Sequence, residues 1–120
     1  MKPLVYVAGP MTSDPYGCVG KACEAFDELR DLGLVPFLPQ LSVLAEMVSP
    51  RDYEDWLAYD LDVIYNCAAV VRLPGLSPGA DRECEYARFI GLPVFCLPGD
   101  DAALREWAAF DPPRRTVREP

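Results

Sequence analysis

Two apolar runs of strand length, residues 68–73 and 92–97, lie on either side of a segment long enough to form a helix. Parallel strands of one sheet need a crossover of about a dozen residues or more, usually a helix, whereas antiparallel neighbours can be joined by a tight turn. The spacing therefore predicts a strand–helix–strand unit. Ser77, Pro78 and Gly79 precede an acidic first turn and predict the start of this helix, where unpaired N–H groups and the helix dipole favour negative charge.

The same alternation of strand and helix extends along most of the chain. Further strands are predicted at residues 4–8 and 34–38, and further helices at about 19–30, 51–66 and 102–110, with one or two helical turns between 39 and 49. This order predicts a single α/β domain over residues 1–110, Rossmann-like or flavodoxin-like, with helices on both faces of a parallel sheet of about four or five strands. Residues 111–120 lack periodicity and are expected to be extended or disordered, unless they dock on a neighbouring subunit.

A loop rich in glycine, proline and hydroxyl side chains follows the first strand. A strand order of 2-1-3-4 would place this loop beside the turn at Ser77, in one cleft at the carboxyl ends of the strands. Gly9 and Pro10 open the loop and Thr12 offers a hydroxyl, so it is suited to line a small-molecule site. The next regular element is expected only after Gly17. The alternative is that the loop is only a tight exit from a strand.

Known phosphate-binding signatures are missing from that loop. The sequence contains neither the G-x-G-x-x-G pattern of dinucleotide sites nor the G-x-x-x-x-G-K-[ST] pattern of nucleoside triphosphatases. Neither of these two classes of nucleotide site is therefore supported.

Glu83 is predicted to face the sheet. With Tyr86, Ala87 and Ile90 it follows the i, i+3, i+4, i+7 spacing of a buried helix face, whereas Glu85 points outward, where it can pair with Arg88. An inward carboxylate one turn into a helix, beyond the carboxyl end of a parallel strand, lies where open α/β folds place their ligands. The alternative is that Glu83 only rims the helix end or forms an ion pair.

Asp60 is the second acid predicted on an apolar helix face. The stripe of the helix at 51–66 consists of Tyr53, Trp56, Leu57, Leu61 and Ile64. Asp60 lies on this stripe, four residues from Trp56 and from Ile64. Such an acid must either be satisfied by a structural hydrogen bond or be used in chemistry.

Composition excludes several classes of partner. The chain has 120 residues, of which 51% are hydrophobic, and its 11 basic and 19 acidic residues give a formal net charge of −8. This charge argues against a nucleic-acid polymer or an anionic membrane as the main partner. No apolar run approaches membrane-spanning length, and the sequence opens on a strand-like segment instead of a signal peptide. We therefore expect a cytoplasmic protein.

The cysteine and histidine content excludes several catalytic mechanisms and common metal sites. The five cysteines are odd in number, form no C-x-x-C pair and are expected to be free thiols, mostly in the core. The chain contains no histidine, which removes Ser-His-Asp and Cys-His catalysis and the common zinc sites. Carboxylates, tyrosine, lysine and backbone dipoles remain for any reaction, and no metal site is predicted.

Three short motifs, in order, resemble the nucleoside 2-deoxyribosyltransferase superfamily. They are Tyr6-x-x-Gly9-Pro10, Tyr59-Asp60-Leu61 and Ser77-x-Gly79-x-x-x-Glu83-x-x-x-Ala87. The superfamily includes the 2′-deoxynucleoside 5′-phosphate N-hydrolases and small bacterial and phage relatives, which this chain resembles most. The resemblance extends from about Leu4 to Leu97, and the three motifs together are fairly specific.

The resemblance implies cleavage of the N-glycosidic bond of a (deoxy)nucleoside or its 5′-monophosphate. It assigns Glu83 as the nucleophile that forms a covalent glycosyl-enzyme and Tyr6 as a group that orients it or the sugar. It assigns Asp60 as a group that assists the leaving base or positions the substrate. Gly9 and Ser77 carry over as binding residues, Ser77 toward a 5′-phosphate. The resemblance also implies a homodimer or higher homo-oligomer and no metal or organic cofactor, with hydrolysis favoured over transfer.

The sequence departs from the superfamily in two places. The hydrolases hold phosphate with serine and arginine in the first loop, where this chain has Pro10, Met11 and Thr12. The transferases carry an acid for the base just after the third strand, and Arg72 to Gly75 contains none. A catalytically silent nucleotide-binding or sensor domain of the same fold is therefore the alternative hypothesis.

Overall fold

The computed structural model describes residues 2–11 and 15–110. Helices and strands alternate along these residues as β1 Leu4–Ala8, α1 Pro15–Asp31, β2 Val35–Phe37, a 3₁₀ turn Pro39–Leu41, α2 Ser42–Val48, α3 Tyr53–Tyr65, β3 Ala69–Arg72, α4 Pro78–Phe89, β4 Val94–Cys96 and α5 Asp101–Ala109. The expected tail at 111–120 and the loop residues Thr12 to Asp14 lie outside the described residues, so the expectations placed on them stay predictions.

The four described strands form one parallel sheet in the order β2-β1-β3-β4. This confirms the predicted α/β fold class and the predicted strand order. β1 pairs with β3 from Val5 opposite Ala69 to Ala8 opposite Arg72, so the two strands end side by side. β2 lies on one side of β1 in the sheet and β3 lies on the other. The direction in which the chain adds strands therefore reverses at the ends of β1 and β3, which is the topological switch point of the sheet.

Successive side chains of β1 pack into two separate hydrophobic clusters, one on each face of the sheet. Val5 and Val7 pack with α1 and α5 on one face of the sheet, in a cluster that includes Ala22, Leu29 and Leu104. Tyr6 and Ala8 pack on the other face with α3 and α4, in a cluster that includes Ile64, Cys84 and Ala87. Because successive residues of a strand point to opposite faces, Tyr6 is directed toward the helices that carry the two predicted acids.

Two helix starts differ from the sequence prediction. α1 begins at Pro15 and not after Gly17, because proline fits the first helical position, where its missing N–H has no partner to lose. The helix predicted from about residue 51 begins later: Ser49 still caps the end of α2, with its N–H bonded to the carbonyl of Ala45 at 2.8 Å. α3 begins at Tyr53, after Asp52.

The cysteines divide between core and surface. Cys67 and Cys84 are buried, whereas Cys23 and Cys96 are exposed, so the expectation of mostly core thiols is wrong for the latter two. Among the described residues, no group of three or more potential metal ligands occurs. None of the described helices combines the length and apolar character needed to cross a membrane.

Gly20 and Gly33 provide a matched test of the backbone of α1. Gly20 lies inside the helix with open space where a Cβ would stand, whereas Gly33 follows the helix at φ +85°. We expect Gly20→Ala to raise the free energy of unfolding by about 0.5–1 kcal/mol, since alanine loses less backbone entropy on folding. We expect Gly33→Ala to lower it by about 1 kcal/mol, because a Cβ is strained in the left-handed region. Urea denaturation of both variants measures this, and equal effects would contradict the assigned helix end.

Candidate active site

A buried cluster of one tyrosine and two carboxyl groups lies where β1, α3 and α4 meet. Tyr6, Asp60 and Glu83 are 0%, 3% and 5% exposed. The Tyr6 hydroxyl donates a hydrogen bond to Glu83 Oε2 at 2.7 Å, between residues 77 positions apart in the chain. The structure thus brings together the three residues that the sequence analysis singled out for chemistry.

The start of α4 fixes where Glu83 points. Ser77 stands at the N-cap and its hydroxyl oxygen accepts a hydrogen bond from the Ala80 N–H at 3.1 Å, while Pro78 occupies the first turn. From this start Glu83 falls on the buried face of α4, one turn before Ala87, whereas Glu85 is exposed. The inward position of Glu83 agrees with the sequence prediction.

The ion pairs of α4 differ from those expected. Among the described residues, Asp81 pairs with Arg72 at 3.0 Å and Arg82 with Glu54 at 3.3 Å. The predicted pair of Glu85 with Arg88 does not form within this part of the chain. α4 is therefore tied by charge to β3 and α3 and not along its own outer face.

Burial disfavours the charged forms of the whole cluster. Desolvation raises the pKa of Glu83, and the negative charge of Asp60 raises it further, against the hydrogen bond from Tyr6 and the positive charge of Arg72. Desolvation also raises the pKa of Asp60. The pKa of Tyr6 is raised by burial and then by the two nearby carboxylates, so Tyr6 stays a hydrogen-bond donor.

Asp60 differs from Glu83 in its hydrogen bonding. Its Oδ1 atom is buried and receives no hydrogen bond from any described residue, whereas Tyr6 donates to Glu83 Oε2. An unpaired buried acceptor costs about 1–3 kcal/mol. Because burial raises the pKa values of both carboxyl groups, the pair shares one proton as pH falls toward neutrality.

The two carboxyl groups line a cleft of about 480 Å³. Its other walls are the loop after β1, the first half of α3 and the start of α4, with Gly9, Pro10, Met11, Tyr53, Trp56, Leu57, Leu76, Ser77, Pro78, Gly79, Ala80 and Arg82. The predicted binding residues Gly9, Pro10, Ser77 and Gly79 are thus all in its walls, and Thr12 lies outside the described residues.

Two glycines keep the walls of the cleft close together. A Cβ on Gly79 would stand 3.0 Å from the Tyr53 hydroxyl oxygen, and a Cβ on Gly9 would stand 3.1 Å from Leu73 Cβ. Both distances are shorter than ordinary contacts of a Cβ, so a side chain at either glycine would require its neighbour to shift.

A second and larger groove shares part of this wall. It has a volume of about 840 Å³, lies between α1, the β2 end, α2 and α3, and also contacts Trp56 and Asp60. The Trp56 indole N–H donates to Glu46 Oε2 at 2.5 Å. Glu46, on α2, therefore fixes the side chain that separates the groove from the cleft.

Several functional candidates were missed by sequence reasoning. Gln40 is 1% exposed, donates from Nε2 to the Val7 carbonyl at 3.3 Å, and has a buried Oε1 without a partner in the described part of the chain. The available signal was a lone amide just beyond the end of a strand, at the edge where ligands bind. Trp56 was noted only as a core residue, and Arg72 only as a departure from the superfamily.

Comparison with known proteins identifies the family and the fold. The model of a family described as "Domain of unknown function (DUF4406)" matches residues 3–96. No curated protein is significantly similar to the sequence.

Solved structures with a similar fold include two 2-deoxyribosyltransferases. A 2-deoxyribosyltransferase from the psychrotolerant bacterium Bacillus psychrosaccharolyticus is 24% identical, over 78% of this chain and 70% of that one, with a TM-score of 0.63. A 2-deoxyribosyltransferase from Leishmania mexicana is 18% identical, over 78% of this chain but only 63% of that one, with a TM-score of 0.61. The fold is therefore that of the 2-deoxyribosyltransferases, as the sequence resemblance implied.

The raised pKa values predict a pH-dependent stability. A carboxyl group whose pKa is higher in the folded protein binds more protons there, so the free energy of unfolding falls as pH rises from the ordinary value through the raised one. Because burial raises the pKa of Glu83 and of Asp60, we expect wild-type stability to fall between about pH 5 and pH 9. Glu83→Gln should flatten this slope and be more stable at the alkaline end by about 1–3 kcal/mol.

Urea denaturation across this pH range provides the measurement, and Glu85→Gln is the matched control. Glu85 is exposed on the same helix, so its substitution makes the same change of charge without removing a buried group. The control should keep the wild-type slope. A wild-type slope in Glu83→Gln would show that Glu83 does not titrate abnormally.

Proposed function

We propose that this chain, which belongs to the family described as Domain of unknown function (DUF4406), cleaves the N-glycosidic bond of a (deoxy)nucleoside or its 5′-monophosphate. Glu83 is the nucleophile, and hydrolysis is favoured over transfer. The observation that carries the proposal is the buried Tyr6–Glu83 hydrogen bond of 2.7 Å with Asp60 in the same cleft wall. Its position at the switch point between β1 and β3 suits a small-molecule site.

A buried carboxylate suits the electron demand of this reaction. As the C1′–N bond breaks, positive charge develops at C1′ and the ring oxygen, and a carboxylate on one face stabilises and then traps it. Tyr6 holds Oε2 of Glu83, which leaves Oε1 to form the bond to C1′. The electron pair of the broken bond goes to the nitrogen of the departing base.

Asp60 has the properties of the acid that assists this departure. Burial raises its pKa to about 6, so it can take the proton that the two carboxyl groups share, and it lines the same cleft as Glu83. Asp60 gives its proton to the leaving nitrogen and becomes a carboxylate. A water molecule then attacks C1′, returns a proton to Asp60 and releases the sugar, which restores the Glu83 carboxylate.

The cleft offers surfaces for both halves of a nucleoside. Trp56 and Tyr53 provide aromatic walls, and Ser77 provides a hydroxyl at the start of α4. The reaction as drawn requires no metal or organic cofactor. We further propose that the protein works as a homo-oligomer, which would cover side chains such as Leu76, 91% exposed at the mouth of the cleft.

One observation favours a catalytically silent nucleotide-binding domain as the second candidate. The cleft wall after β1 carries Pro10 and Met11, which supply no charged or hydroxyl group for a phosphate. Against this candidate, a pure binding protein gains nothing from a buried carboxylate that costs folding free energy.

The first test measures free base by chromatography after incubation with ribo- and deoxynucleosides and their 5′-monophosphates, with and without an acceptor base. We expect release by the wild type, and a loss of about 10³-fold or more in Glu83→Ala because the nucleophile is removed. Base exchange that occurs only with acceptor would identify a transferase.

The control for this test is Glu85→Ala, which truncates the exposed acid two residues away and should release base at the wild-type rate. Inactivation by Glu85→Ala and not by Glu83→Ala would contradict the assigned nucleophile. Absence of release from every substrate, together with a ligand-induced rise in melting temperature, would favour the binding domain.

The role of Asp60 can be tested through the leaving group. Asp60→Asn should lower kcat/KM by about 10²–10⁴-fold for ordinary purine nucleosides, since it cannot donate a proton. The loss should shrink for nucleosides methylated at N7 of the purine, whose base departs neutral without a proton. An equal loss for both substrates would show that Asp60 positions the substrate and does not protonate it.

A further inference from the structure

Arg72 makes an unusual set of contacts at the end of β3. Its guanidinium donates hydrogen bonds to the carbonyls of Leu73 and Gly75, the latter at 3.0 Å, and to Asp81 Oδ1 at 3.0 Å. The Arg72 side chain is 13% exposed, against 65% for Asp81. A single, partly buried cation thus binds the loop that follows β3 and the first turn of α4.

The clamped loop also rests on the loop after β1. Gly75 has φ +118°, and a Cβ there would stand 2.8 Å from Pro10 Cγ, so the two loops pack without room for a side chain. Pro10, Leu76 and Ser77 all line the cleft. The contacts of Arg72 therefore fix the relative positions of three segments of the cleft wall. These segments are the loop after β1, residues 73–77 and the start of α4.

We propose that Arg72 is a positioning residue for the glycosidic reaction, which fixes the cleft wall beside Glu83. This inference rests on the proposed function of the same site. Arg72 does not line the cleft, so it acts through the loop and through Glu83 and not by touching the sugar.

The electrostatic part of this role follows from the groups that face Glu83. They are Tyr6 from β1, Asp60 from α3 and Arg72 from β3, with Cys84 as the neighbour on α4. Asp60 and burial favour the protonated form of Glu83, whereas Tyr6 and Arg72 favour the carboxylate. Arg72 is the cation among these groups, so its removal should leave Glu83 protonated to higher pH.

A purely structural role would have a different signature. An ion pair with a partner as exposed as Asp81 contributes about 0–1 kcal/mol to stability, and its loss alone would change melting temperature without changing the titration of Glu83. The pH at which Glu83 titrates therefore separates a purely structural role of Arg72 from the proposed positioning role.

The experiment compares Arg72→Gln and Arg72→Lys with Arg88→Gln, which removes the same charge from the exposed side of α4. Titration of the Glu83 side-chain carboxyl carbon by NMR, assigned by its absence in Glu83→Gln, reads the free protein and needs no turnover. We expect the titration to move to higher pH in Arg72→Gln, to stay near wild type in Arg72→Lys, and to be unchanged in Arg88→Gln.

Kinetics on the best nucleoside provide the second readout. In Arg72→Gln the acid limb of the kcat/KM profile should move in the same direction as the titration, and kcat should fall about 10-fold or more as the wall loosens. Asp81→Asn loosens the clamp but keeps the cation, so it should lower kcat without moving the acid limb.

The outcomes separate the proposed glycosidic function from the positioning role of Arg72. A wild type that releases no base would overturn the proposed function, and the NMR titration would still decide whether Arg72 controls Glu83. If Arg72→Gln does not fold, Arg72→Lys and Asp81→Asn carry the test, because both should lower kcat while leaving the Glu83 titration in place. Wild-type titration in Arg72→Gln, or wild-type kcat in both Arg72→Lys and Asp81→Asn, would overturn the inference.

Discussion

The hydrogen bond from Tyr6 to Glu83 is the contact on which the arrangement of the site depends. It joins the central strand β1 to α4 at 2.7 Å, between two buried side chains. Its geometry requires β1 and β3 to be neighbours, because α4 follows β3 and reaches Tyr6 only across that pair. The sheet order, the cap at Ser77 and the loop at residues 73–77 all help to place one carboxylate against one phenol.

The cluster keeps polar groups where an apolar core would be more stable. Asp60 Oδ1 and Gln40 Oε1 are buried without partners among the described residues, and each such atom costs about 1–3 kcal/mol. Both lie near the carboxyl ends of β1 and β2. Unsatisfied groups concentrated at one edge of a sheet are typical of a site shaped for a ligand.

Periodicity predicted the fold and the orientation of the acids, because both follow from repeats of two and 3.6 residues. The positions of Asp60 and Glu83 were therefore accessible from sequence. The contacts of Gln40 and Arg72 were not, since both side chains bind backbone carbonyls of other segments, and no local repeat encodes such contacts. The start of α1 at Pro15 was missed for a related reason: proline both ends extended segments and begins helices, and tertiary packing decides between them.

The attachment of α2 has a consequence for the dynamics of the chain. This helix contributes no buried residue. Glu46 joins it to the segment before α3 through the Arg51 N–H and to α3 itself through the Trp56 indole. Segments with few buried contacts open at a small fraction of the global unfolding free energy. We therefore expect amide hydrogens of α2 to exchange with solvent well before those of β1 and β3. The larger groove of about 840 Å³, which α2 lines, would then adapt its shape to a bulky molecule, while Tyr6, Asp60 and Glu83 stay rigid.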